Sequence, residues 1–197
     1  MAKKEALRAL QTRLAERLQA ARTETGTAVS WLAVECGGQG VLLPLAQAGE
    51  IFSLSTLLPV PHTSDWFVGV ANLRGRLHGV VDLAAFLGVR LDAAVEIGRE
   101  QSRLVAFNPS LDLNCALLVD RLAGLRSAEQ LQCDPQSAQR PTFAGERYVD
   151  AQGRRWQELQ LAALAVDDEF LRIARYTRCG ATGLASTEPS EGFHEIF

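Results

Sequence analysis

Between positions 3 and 22 leucines recur at a spacing that puts Leu7, Leu10, Leu14 and Leu18 on one stripe, with charged residues elsewhere, the pattern of an amphipathic helix. Such a helix either packs on its own domain or holds a partner or a second copy of the chain. Residues 23–27, with Gly26 among them, read as a short linker. The texture then changes to short runs of β-branched and apolar residues separated by turn formers, which predicts a barrel or sandwich of short strands. Runs 29–35 and 40–45 flank Gly37-Gly38 as a hairpin, and runs 70–73 and 76–81 flank Arg74-Gly75 as a second. Asp82 is placed to N-cap a short helix over 83–87 that Gly88 closes. Runs 103–107 and 114–119 flank the turn signal Asn108-Pro109-Ser110, and runs 148–150 and 154–160 flank Gly153. A last helix is expected over 167–176. Beyond Gly180 the chain is rich in Gly, Ser, Thr and Pro and reads as a mobile tail with Phe193 and Phe197 as apolar anchors.

A weak internal repeat runs through this pattern. The stretch G-R-L-H-G-V-V-D-L-A-A-F-L from Gly75, set above G-R-R-W-Q-E-L-Q-L-A-A-L-A from Gly153, matches at Gly, Arg, Leu, Ala and Ala at an offset of 78 residues. The upstream hairpins agree, since W-L-A-V before Gly37-Gly38 resembles L-V-A-F before Asn108-Pro109. Two related halves are the expectation.

Composition narrows the class. The 197 residues are 47% hydrophobic and 22% charged, as in an ordinary globular protein, and the formal net charge is -3. Basic residues are scattered among acidic ones, so there is no electrostatic footprint for nucleic acid. Cys36, Cys115, Cys133 and Cys179 form no C-x-x-C pair, and the start lacks the apolar core of a secretory signal. The longest apolar runs, such as 41–46, fall far short of the ~20 residues of a membrane helix. A cytoplasmic protein without direct membrane insertion is expected.

Signals for catalysis are missing from the sequence. His62, His78 and His194 are dispersed without metal-ligand spacing, and Gly37, Gly38 and Gly40 are not followed by the Lys-Ser/Thr of a phosphate loop. The expectation is no enzyme, no catalytic residues, no metal and no cofactor.

The segment P-V-P-H-T-S-D-W-F-V-G-V-A-N-L-R-G-R-L-H-G-V-V-D-L-A-A-F-L-G, residues 59–88, resembles the core signature of CheW-like domains, in which P-x-P leads to G-V-x-N-L-R-G, a strand ending V-V-D-L and a helix ending L-G. The likeness extends over roughly residues 29–175. It departs at Gly79, where the family usually has proline, and at Ala71, where it has a β-branched residue. The resemblance implies a mostly β fold of two SH3-like five-stranded β-barrels. Here an N-terminal amphipathic helix and a short C-terminal helix are added. It divides the chain into helix and linker over 1–27, the CheW-like domain over 28–178 and a tail over 179–197. The additions look like those of pilus-associated PilI adaptors.

What the resemblance implies for function is a non-catalytic cytoplasmic adaptor, recruited to membrane-bound receptor arrays, that couples a methyl-accepting chemoreceptor to a CheA-type histidine kinase and controls type IV pilus twitching. The alternatives are a flagellar chemotaxis adaptor, or a small-ligand sensor or enzyme using the groove between the barrels. For the receptor- or kinase-binding site it implies Ala48, Glu50, Val70, Asn72, Arg74 and Gly75, with Glu50 and Arg74 approaching each other. An arginine before a glycine at a hairpin turn also has a plain reading as a solvated turn residue. Trp66 and Phe67 are either exposed contact aromatics or caps on the core.

Overall fold

The computed structural model describes residues 30–89, 101–134 and 140–174. The expected N-terminal helix and the tail beyond Gly180 lie outside the described residues. The first two strands, β1 (Ser30–Cys36) and β2 (Gln39–Pro44), form the hairpin around Gly37-Gly38. Next come β3 (Ala48–Ser53), the hairpin of β4 (Phe67–Leu73) and β5 (Arg76–Asp82), and the one-turn helix α1 (Leu83–Phe86). The second half repeats the plan. It comprises the hairpin of β6 (Arg103–Phe107) and β7 (Cys115–Val119), then β8 (Arg121–Ser127) and β9 (Leu131–Cys133). The hairpin of β10 (Ala144–Asp150) and β11 (Arg155–Leu159) leads into α2 (Leu161–Leu164). Helix α3 (Asp168–Leu171) follows.

The internal repeat is a property of the fold. Helices α1 and α2 start at Leu83 and Leu161, 78 residues apart, the offset at which the sequences match. The halves are interlaced: one sheet runs β3-β6-β7-β5-β4 and the other β8-β1-β2-β11-β10-β9. Each takes one hairpin from either half and joins them by a parallel pair, β5 with β7 and β2 with β11. We refer to the first sheet as barrel one and the second as barrel two. Barrel two counts a sixth strand because the chain leaving β8 bends through a 3-10 turn, Ala128–Gln130, and resumes as β9 on β10. In barrel one the same closure is a single bridge, in which Leu58 and Val70 exchange backbone hydrogen bonds of 2.8 and 2.9 Å.

Strand alternation sorts the interior into three cores. Leu32, Val34, Val41 and Leu43 of barrel two face Val81, Val105, Phe107, Leu117 and Val119 of barrel one in a core shared by both sheets, closed by Leu83, Phe86, Leu161 and Leu164 of the one-turn helices. Barrel one keeps its own small aliphatic core of Ala71, Leu73, Val80, Leu104, Ala106, Ala116 and Leu118. Barrel two is filled by Trp31, Ala33, Leu42, Leu131 and Trp156.

Local rules explain the helices. Asp82 caps α1 by accepting from Ala85 N at 3.1 Å, as its position predicts. The residue at the matching place before α2 is Gln160, which makes no side-chain cap, and the sequence reading has no helix there. The last helix, expected over 167–176, stops at Leu171, because the following chain turns extended to pair with the 63–64 segment: Ser64 N donates to Ile173 O at 2.8 Å and Thr63 bridges Ala174. Trp66 and Phe67 both pack on the shared core, and Trp66 stacks on Phe170 at 6.1 Å. At Gly79 the backbone N–H donates to Asn114 O at 3.0 Å, a bond that proline cannot make.

Candidate interaction site

The β4–β5 hairpin turns through two residues in the left-handed region, Arg74 at φ 51° and Gly75 at φ 81°, as a tight hairpin following the right-handed twist of its strands requires. Glycine enters this region freely, whereas arginine is strained there, so something must hold the turn. Asn72 supplies one restraint, its Oδ1 accepting from Gly75 N at 2.8 Å. Glu50 supplies another: its Oε1 lies 2.6 Å from Arg74 Nη2.

Glu50 reaches the turn because β3 is bulged. Ala48 opposes Phe107 and Ile51 opposes Val105, so Gly49 and Glu50 together face one residue of β6. A bulge re-aims the side chain it carries. Gly49 permits the close approach, since a Cβ there would stand 2.7 Å from Phe107 O. The resulting pair is solvated, with 75% of the Arg74 side chain and 42% of that of Glu50 exposed. Exposed apolar side chains occur on the same elements: Ile51 follows Glu50, Leu77 opposes Asn72, and Leu58 opposes Val70 across the closing bridge.

Of the six residues expected at the site, Glu50, Asn72, Arg74 and Gly75 come together. Val70 stands half-buried further along β4, tied to Leu58. Ala48 is buried in the shared core, so its side chain offers no contact surface.

Sequence reasoning missed a second charged constellation, in barrel two. Glu35 lies on β1 with 11% of its side chain exposed, and accepts from Arg121 Nε at 2.5 Å, Arg121 Nη2 at 2.8 Å and Arg154 Nη1. Burial alone raises a carboxyl pKa, but the two guanidinium groups outweigh it and hold Glu35 below its ordinary value. Arg154 and Arg126 stand 4.6 and 5.6 Å from the Trp156 ring centre, a cation–π arrangement, and the Trp156 N–H donates to Asp150 Oδ2 at 2.9 Å. The available signal was a glutamate set between apolar residues of a buried strand, Val34 and Cys36.

Among the described residues no group of three or more His, Cys, Asp or Glu is placed to hold a metal ion. His78 Nδ1 lies 3.1 Å from Arg76 O beside the turn. Burial pushes the Cys115 thiol up to about 12, which keeps it protonated and unreactive near neutrality. No helix among the described residues is long and apolar enough to cross a membrane.

Comparison with known proteins agrees with this architecture. Residues 30–169 match the family model described as CheW-like domain. The chain is 30% identical to the protein PilI of Pseudomonas aeruginosa over 160 residues, 78% of this chain and 85% of that protein. It is 28% identical to the chemotaxis protein CheW of Thermotoga maritima over 103 residues, 52% of this chain and 64% of that protein. The crystal structure of the scaffolding protein TtCheW from Thermoanaerobacter tengcongensis superposes with a TM-score of 0.56 at 17% identity, covering 68% of this chain and 85% of that one. Interlaced β-barrels, the N-L-R-G hairpin and a family match spanning both barrels together assign this chain to the CheW-like family.

Proposed function

We propose that this protein is a non-catalytic adaptor that joins a methyl-accepting chemoreceptor to a CheA-type histidine kinase in a cytoplasmic array at the membrane, serving type IV pilus motility. The observation that carries the reading is the Glu50–Arg74 pair, held on a strained turn and a bulge yet left in water, with exposed Ile51 next along β3 and exposed Leu77 on the same hairpin. An exposed pair contributes only ~0–1 kcal/mol to stability, so effort spent on positioning it points to recognition. A few apolar anchors with a charged rim is the composition of a protein-binding surface. The likeness to PilI favours the pilus system over the flagellar one. The domain is read as residues 28–178, with 1–27 and 179–197 as additions.

Co-purification from cells of an organism carrying the protein tests the proposal. The expected result is recovery of one histidine kinase and one chemoreceptor with the intact chain, with recovery of the chemoreceptor weakened by Arg74→Ala. Purified protein is expected neither to hydrolyse ATP nor to take up phosphate from that kinase. Stoichiometric phosphate on His62 or His78 contradicts the adaptor reading.

A further inference from the structure

Strand β8 ends its sheet, and β1 is the strand it pairs with among the described residues. Directly opposed residues of an antiparallel pair share a face. Leu122 opposes Val34 and Leu125 opposes Leu32, and both β1 partners are buried in the shared core. Yet Leu125 is 59% exposed and Leu122 36%. Among the described residues the core surface therefore runs out onto an exposed shelf. Arg121 and Arg126 belong to the other face of β8, opposite Glu35 and Trp31, where Glu35 and Trp156 engage them.

The shelf lies where the chain enters the fold. Ser30, the first described residue, pairs with Ser127 at the end of β8. Leu45, also exposed, donates its N–H to Ser30 O at 2.9 Å. Just upstream in the sequence is the stripe of Leu7, Leu10, Leu14 and Leu18, separated from Ser30 by residues 23–29. Those seven residues span at most about 23 Å when extended, enough to fold back over a seven-residue strand.

We propose that residues 3–22 of the same chain cover this shelf, laying the leucine stripe over Leu122 and Leu125 and shielding the open edge of barrel two. Covering an edge is one of the ways a sheet avoids pairing with other chains. Truncation of this segment is then expected to leave the barrels folded while exposing a sticky edge.

A photo-reactive residue in place of Leu14 in the full-length chain tests the assignment directly. Cross-links mapped by mass spectrometry should fall on residues 121–127 within a species of monomer mass. Cross-links in dimers place a second copy's segment there, and cross-links elsewhere or none remove the shelf from consideration; each overturns the proposal. A paired measurement guards against local misfolding. Leu10→Asp with Leu14→Asp, which leaves the barrels untouched, should speed hydrogen exchange of the β8 amides about ten-fold, and Leu125→Asp should speed tryptic cleavage at Arg13 and Arg17 by a similar factor. Unchanged rates in both contradict the docking.

Discussion

Barrel one encloses Ala71, Val80, Leu104, Ala116 and Leu118, whereas barrel two, built on the same strand order, encloses Trp31 and Trp156. Their charges differ in the opposite sense. In barrel two Glu35 is held by Arg121 and Arg154, with the carboxylate nearly out of water, and Arg154 and Arg126 lie over the Trp156 ring. At the turn of barrel one a single pair, Glu50 and Arg74, stands in solvent. A buried charge must be compensated, so the first set is committed to the fold. The exposed pair is held in place but left free, which is what a contact surface requires. On the proposed function, two copies of one topology divide the work between stability and recognition.

Mutations break this comparison in order of size. Trp156→Ala empties the centre of barrel two and is expected to cost about 3–5 kcal/mol in denaturant melts. Glu35→Ala leaves Arg121 and Arg154 without their shared carboxylate and should cost about 1–3 kcal/mol, less than a fully buried pair because Arg121 is half in water. An effect as small as that of Arg74→Ala refutes the division between the barrels.

The same glutamate predicts a pH dependence. Its folded-state pKa is depressed below 4.5, so its ion pairs stabilise the protein fully above the unfolded value and are lost as pH falls through the folded one. Acid titration of the parent should therefore show a stability loss below about pH 4.5 that is shallower in Glu35→Gln. Equal slopes in both proteins point to other carboxylates.

Much of this was legible in the sequence, for identifiable reasons. Two-residue turns such as Gly37-Gly38 and Arg74-Gly75 announce hairpins locally, and Asp82 announces a cap. The N-L-R-G segment carried Asn72, Arg74 and Gly75, and the family resemblance added Glu50 from β3. What escaped was non-local. Strand β8 reads R-L-A-G-L-R-S, with a glycine and two arginines that weaken the strand pattern, and it forms because β1 is there to pair with it. Helix α2 lacks a side-chain cap and is held by burial of Leu161 and Leu164. The resemblance implies Ala48 at the binding site, but its side chain is buried in the shared core, while the bulge at Gly49-Glu50 carries Glu50 outward. The Glu35 constellation joins residues 86 and 119 positions apart, which no local pattern displays.

The smallest structural effects are expected at barrel one. Arg74→Ala should change stability by less than about 1 kcal/mol, and Arg74→Lys should restore binding in part, because lysine cannot reproduce the two-pronged geometry of a guanidinium on a carboxylate. The most direct test is the charge swap Glu50→Arg with Arg74→Glu, compared with each single mutant for receptor control of kinase activity in a reconstituted array. The account predicts that each single mutant loses coupling at an unchanged melting temperature and that the swap recovers part of it; single mutants that couple like the parent contradict it.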